Sequence, residues 1–349
     1  MSIFINIILF IFIIGILVLI HEFGHFIMAK LFKVYIYEFS IGMGPVIHQH
    51  KGKDNVMYSI RALPIGGYVS MAGEVAEDDD KVKKSDFLCN KPWWQRIIIF
   101  CAGVFNNFLL ALVLFFIIAM AWGARVTEPV FSEITPNSAM DIAGAEVGDR
   151  IISINNKKVT TWDRAQILLI EKSKDNNYQI VVERNGQQKT LNVTPEIVKD
   201  EKGKESKVYG MTVSSRVEHG FVAAIKYAFH KFVSIFDTMI LTIGGLFTGK
   251  ISITALSGPV GIYTIVGEAR TAGLFSLLYL VAYLSLNLGF INILPFPAFD
   301  GGHVLFTLIE VIIRRPVNKK VEAVLHFIGF ILIFALMIAI TIHDVWRLV

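Results

Sequence analysis

The 349-residue chain is 54% hydrophobic and only 18% charged, with a mean hydropathy of +0.57, which excludes a wholly soluble enzyme and points to a polytopic membrane protein. The net charge of +4 owes much to Lys and Arg flanking the apolar runs, the usual place for basic residues in a membrane protein, and argues against a nucleic-acid partner. Cys89 and Cys101 are the only two cysteines, too few for a disulfide framework.

In chain order, residues 3–29 are apolar apart from Asn6 and the stretch HEFGH, and end at Lys30 and Lys33. They predict a first spanning helix. With no basic leader and no small-residue cleavage site, this segment is expected to stay in the protein. Residues 97–122 predict a second span, introduced by Lys91 and Arg96. From about 129 to 213 the composition turns soluble. Strand-like runs occur at PVFSEI, DRIISIN, YQIVVER and KTLNVTP, and a helical stretch at WDRAQILLIEKS. Asn185 and Gly186, between the last two strand-like runs, are a hairpin signal.

Residues 221–247 are apolar enough to be read as a span, but Lys226, His230, Lys231, Ser234, Asp237 and Thr238 recur at helical spacing. Phe229, Phe232, Val233, Phe236 and Ile240 are left largely on the other side, the pattern of an amphipathic helix lying in the interface. Residues 274–294 predict a third span that runs into Pro295 and Pro297, and residues 323–342 a fourth. The loops between spans one and two and between spans three and four are rich in Lys and Arg, so both are expected on the cytoplasmic side. The soluble segment and both termini then lie on the far side. The run from Glu74 to Lys84 is expected to be a solvated loop.

Chemistry concentrates at His21, Glu22 and His25, which form H-E-x-x-H. On a helix the two histidines stand one above the other at i and i+4, where both imidazoles can bind one zinc ion. Glu22 is within reach of a water held by such a metal and can take its proton. Inside an apolar helix such residues mark function by default, the bland alternative being a polar cluster that bonds neighbouring helices. A catalytic zinc requires a third protein ligand. Asp300, the only carboxylate between Glu268 and Glu310, leads as that ligand. His303, about one turn further on, competes, and a helix N-cap is the alternative use of Asp300. Counting along a helix, His25 lies about 7.5 Å and His21 about 13.5 Å from Lys30. Asp300 is likewise toward the basic end of its span, so both half-sites share a depth.

HEFGH together with NILPFPAFDGG at residues 292–302 resembles the site-2 protease family, and in particular its bacterial regulator-of-sigma-E protease branch. The same resemblance covers GMGP at 42–45, PIGGYVSMAGE at 64–74 and LSGPVGI at 256–262. It implies one catalytic zinc ion held by His21, His25 and Asp300, with Glu22 as general base. It implies that Asn287 and Asn292 hold the substrate backbone or the developing oxyanion. Residues 66–71 resemble the family's membrane-associated β-loop, so Gly67, Tyr68 and Val69 are expected to pair with an unwound substrate strand. Residues 132–159 resemble a PDZ domain. Val104 departs from the proline common in the family before Asn107.

The expected architecture is therefore a polytopic α-helical membrane protein with four transmembrane helices, a membrane-associated β-loop and one soluble α+β PDZ-like domain. Its expected parts are residues 1–128 (two spans and the β-loop), 129–215 (PDZ-like), 216–255 (interfacial helix) and 256–349 (two spans). The resemblance implies a zinc endopeptidase of the bacterial inner membrane. It would cut single-span membrane proteins already trimmed by another protease, anti-sigma factors or signal-peptide remnants among them. Its zinc site would lie toward the cytoplasm and its PDZ-like domain outside. A catalytically silent scaffold acting through that domain is the rival from another class, but it has no use for Glu22 beside two histidines.

Overall fold

The computed structural model describes residues 2–74, 82–199 and 205–346. Most of the Glu74 to Lys84 run lies outside the described residues. The helices are α1 (Ser2–Leu31), α2 (Trp93–Trp122), α3 (Ala139–Ile142), α4 (Trp162–Ile170), α5 (Phe221–Phe247), α6 (Pro259–Ala272), α7 (Leu274–Ile293), α8 (Asp300–Ile313) and α9 (Lys319–Trp346). The strands are β1 (Ile36–Lys51), β2 (Met57–Met71), β3 (Ala124–Ile134), β4 (Arg150–Ile154), β5 (Lys157–Lys158), β6 (Tyr178–Arg184), β7 (Gln187–Val193), β8 (Glu196–Lys199), β9 (Glu205–Val208) and β10 (Met211–Glu218). Among the described residues α1, α2, α5, α7 and α9 are long and apolar enough to cross a membrane by length and composition, as a polytopic membrane protein requires. The chain divides into two compact units, Met1–Leu114 with Ser257–Val349, and Phe115–Leu256.

In the first unit α1 stops where Lys33 turns left-handed at φ 57° and Val34 N–H donates to the Ala29 carbonyl at 2.8 Å, satisfying one of the carbonyls a helix end leaves open. The helix has few polar residues, and Asn6 is accounted for by a partner, Arg270 of α6, whose Nε donates to its Oδ1 at 2.7 Å. After α1 the chain folds a sheet from β1 and β2. Residues 36–41 pair with 67–71 on one side and with 57–60 on the other, while residues 46–51 pair with 57–61. The stretch 67–71 is thereby left at the rim of this sheet. Gly67 lies so close to β1 that an added Cβ would stand 2.4 Å from the Ser40 carbonyl oxygen.

Pro295 ends α7, because the residue before a proline is pushed out of the helical region; Leu294 is extended at φ −61° and ψ 137°. The chain re-enters helix at Asp300 behind an extended Phe299 whose side chain makes no capping bond. LSGPVGI, for which the sequence shows no shape, starts α6 with Pro259 in its first turn. There the Asp344 carboxylate, from the far end of the chain, accepts from Gly258 N and Gly261 N, each at 2.8 Å. A negative charge at a helix N-terminus satisfies both its open donors and its dipole.

The second unit contains a sheet ordered β10-β3-β4-β6-β7 with β5 on β4. Its core holds Phe131, Met140, Ile151, Ile154, Leu168, Tyr178 and Ile180. The four strand-like runs and the helical stretch correspond to β3, β4, β6, β7 and α4, while no strand-like run marks β5, β8, β9 or β10. Asn185 and Gly186 both have positive φ, at 52° and 78°, as a two-residue hairpin turn demands. Asp149 is fully buried and accepts from Arg184 Nε at 2.7 Å and from Glu146 N at 3.0 Å. Burial alone would raise its carboxyl; the guanidinium and the amide outweigh burial and hold it below the usual carboxylate range.

The polar side of α5 has a partner in this unit. Lys231 Nζ reaches Asp163 at 2.8 Å, Ser234 Oγ donates to Asp163 at 2.7 Å, and Arg164 reaches Asp237 at 2.6 Å. The polar stripe of α5 thus meets α4 through Lys231, Ser234 and Asp237, while Phe221, Val222, Ile225, Phe229, Val233 and Ile240 remain exposed on α5.

Candidate metal centre

Three side chains from two distant parts of the first unit converge. His21 and His25, both buried on α1, bring their Nε2 atoms to 3.2 Å of one another. Asp300, the first residue of α8, places Oδ2 at 2.9 Å from His21 Nε2 and 3.4 Å from His25 Nε2. A zinc ion with bonds of about 2.0–2.1 Å separates tetrahedral ligands by about 3.3 Å, and the three spacings bracket that value. Asp300 Oδ2 is buried with no hydrogen-bond partner among the described residues. His25 Nδ1 lies 2.8 Å from the Ile99 carbonyl oxygen, which can only accept, so the ring proton sits on Nδ1 and the Nε2 lone pair faces the cluster. Converging lone pairs without a shared proton repel each other and suit a cation. The donor set, two imidazoles and a carboxylate, is that of a catalytic zinc with an open position.

Residues that spacing did not single out shape this centre, and α2 carries them. Gly103 sits against both rings: an added Cβ would lie 2.4 Å from His25 Nε2 and 2.8 Å from His21 Cε1. Gly24 similarly lets α1 approach α2, since its Cβ would stand 2.3 Å from the Ala102 carbonyl oxygen. Asn107, fully buried, meets His21 Nδ1 at 3.1 Å. The amide Nδ2 occupies that position while Oδ1 is buried with no partner among the described residues; turning the amide over lets Oδ1 accept the Nδ1 proton and leaves Nε2 free, the usual orienting arrangement for a ligating histidine. Asn106 donates to the Ile20 carbonyl at 3.1 Å. The only signal for these in the sequence is a pair of asparagines inside an apolar helix. Gly103→Ala is expected to lower zinc affinity by roughly 10–100-fold, the scale of damage to groups that orient ligands, while leaving the helices formed. Zinc titration of the purified variant, with circular dichroism as the control for folding, measures this.

Glu22 is half-buried beside the cluster, and its Oε2 accepts from Val69 N at 3.2 Å. The rim of β2 and the H-E-x-x-H helix are thus in direct contact. Tyr68 points its phenol to Glu38 at 2.6 Å, which Arg61 also meets at 2.8 Å. Burial and the Glu38 carboxylate push the Tyr68 phenol up to about 12, so it stays a hydrogen-bond donor that anchors the loop. His303 is turned elsewhere: its Nδ1 lies 3.4 Å from Glu322 Oε1 and its ring stacks on Phe100 at 4.8 Å between centroids. Asn287 donates to the Tyr283 carbonyl one turn back at 3.1 Å. Among the described residues no hydrogen bond joins Asn287 or Asn292 to the His21, His25 and Asp300 cluster.

The model of peptidase family M50 matches residues 9–336. The chain is 31% identical to the regulator of sigma-W protease RasP of Bacillus subtilis, with 99% of each chain covered. It is 32% identical to the zinc metalloprotease RasP of Geobacillus kaustophilus, with 98% of each covered. It is 37% identical to a candidate zinc metalloprotease of Clostridium acetobutylicum, again with 98% of each covered.

Proposed function

The chain belongs to peptidase family M50 and is a zinc metalloprotease, and on that premise we propose that it cuts single-span membrane proteins at a zinc site inside or at the edge of the bilayer. In this reading His21, His25 and Asp300 hold the zinc and Glu22 is the general base. The observation that carries it is the convergence of three ligand atoms within 3.4 Å of each other, with Glu22 tied to a strand rim beside them. Bound zinc supplies Lewis-acid polarisation and lowers the pKa of water at the site. The rest falls to the chain. A helical substrate hides its peptide bonds, so it must be extended first, and the 67–71 rim offers Gly67, Tyr68 and Val69 for pairing with it. A substrate strand that pairs there takes over the Val69 N–H and leaves the Glu22 carboxylate free to accept a proton from the attacking water. Asn292 is the favoured donor to the developing oxyanion. Asn287 would first have to leave the Tyr283 carbonyl.

The finer architecture belongs to the same proposal: four spans, α1, α2, α7 and α9, with residues 129–215 as a PDZ-like domain and α5 lying in the interface. The charged contacts of α5 with α4 support this, because a helix that gives Lys231, Ser234 and Asp237 to a soluble sheet domain is a costly one to bury in lipid. Substrates would be trimmed by another protease beforehand. A sigma-factor circuit fits the name of the Bacillus subtilis relative, a regulator of sigma-W protease. The function is tested with purified protein and a single-span substrate in detergent or vesicles: zinc-dependent cleavage within the span is expected, and cleavage that persists after complete removal of zinc overturns it. The topology is tested by cysteine labelling in cells. Positions 83 and 315 are expected to label from the cytoplasm and position 156 from the opposite side. If 156 and 315 label from one side, α5 crosses the membrane.

A further inference from the structure

Helix α9 is apolar and exposed over most of its surface, with Val324, Phe327, Ile328, Phe330 and Ile331 all outward. One stripe differs. Glu322, His326 and Gly329 follow each other at i, i+4 and i+7, one face of a helix, and that face meets the segment that carries Asp300. His326 Nδ1 accepts from Ala298 N at 3.0 Å. Ala298 sits at φ +83°, a region that costs any residue with a Cβ. Gly329 is close enough to the same turn that an added Cβ would lie 2.4 Å from the Pro297 carbonyl oxygen. The His326 ring stacks on His303 at 4.0 Å and 19°, and His303 is held on its other side by Phe100 and at Nδ1 by Glu322.

We propose that His326 is a positioning residue for the zinc site: by accepting the Ala298 N–H it holds the left-handed turn from which Asp300 is aimed at His21 and His25. The inference rests on Asp300 being a zinc ligand. A strained residue persists only when its surroundings over-determine it, and here one hydrogen bond, one close glycine contact and one ring stack do so two residues before the ligand. His303, Glu322 and His326 also bring donor atoms within 4.8 Å of one another, the outline of a second metal site. The Ala298 bond argues against that use. A ring that accepts at Nδ1 carries its neutral-state proton on Nε2, the atom that faces Glu322 Oε1 at 4.0 Å, and a protonated nitrogen cannot ligate.

The test is zinc affinity by competition with a chromophoric chelator, together with the visible spectrum of the cobalt-substituted protein, for the full chain in detergent. His326→Ala is expected to weaken zinc binding by roughly 10–100-fold, as for other groups behind a ligand, and to alter the cobalt spectrum. His326→Asn is expected to restore most of the loss, because its Oδ1 stands where Nδ1 stood, whereas His326→Gln is not. Adding Ala298→Gly to His326→Ala is expected to recover affinity, since glycine holds positive φ without help. Wild-type affinity in His326→Ala, equal loss in the Asn and Gln variants, or two zinc ions per wild-type chain would overturn the proposal. Asp300→Ala is the reference: if it keeps its zinc, the ligand set itself is wrong, whereas if it alone loses zinc, only the positioning role is.

Discussion

Glu22→Gln is expected to bind zinc like the parent chain and to cleave a single-span substrate about 10²–10⁴ times more slowly, the range that one general base contributes. The amide keeps the size of the carboxylate and keeps an oxygen that can accept the Val69 N–H, now at 3.2 Å from Oε2. It lacks the basicity to take a proton from the attacking water. Because His21, His25 and Asp300 are untouched, zinc content separates loss of chemistry from loss of the site. Wild-type turnover in a zinc-loaded Glu22→Gln protein would remove Glu22 from the mechanism. Parallel loss of zinc would instead give it a structural part in the centre.

How much of this centre can be read along the chain depends on how far apart the cooperating residues lie. His21 and His25 are legible because four residues of helix bring them together without any tertiary help. Asn185 and Gly186 are legible for the same reason, since two adjacent positive φ angles demand such residues. From the residues alone Asp300 is reached by elimination among carboxylates, with His303 as its rival, and only the resemblance carried by residues 292–302 separates the two. Gly103 and His326 escape entirely, and Asn107 shows only as one of two asparagines inside an apolar helix. Their roles arise from contacts with residues more than twenty positions away, and a glycine, an asparagine or a histidine in an apolar helix carries many other meanings. The same limit applies to Asp344, which caps α6 from the opposite end of the last helix. It applies again to α5, whose polar stripe is visible in the sequence, as is the helix α4, while the contact between them is not. Periodicity identifies a face; what covers that face is decided by topology.

Asp300→Ala is expected to emerge from purification without zinc and without activity, while His303→Ala keeps about one zinc per chain. Both residues are near the proline break and both are common zinc ligands, so residue type does not separate them. Geometry does. Asp300 Oδ2 stands 2.9 Å and 3.4 Å from the two histidine nitrogens, and it has no other hydrogen-bond partner among the described residues. His303 gives Nδ1 to Glu322 and its two faces to Phe100 and His326. Removing the His303 ring takes away packing behind the Asp300 turn, so its affinity for zinc is expected to fall by at most about tenfold, within the range for groups behind a ligand. Asp300→Asn sharpens the comparison, because an amide of the same shape keeps an oxygen toward the site but not the charge that two neutral imidazoles leave the zinc wanting. Zinc stoichiometry by elemental analysis reads all three variants. Zinc retained in Asp300→Ala and lost in His303→Ala would hand the third ligand to His303 and require the segment after Pro297 to turn about one helical step from its present position.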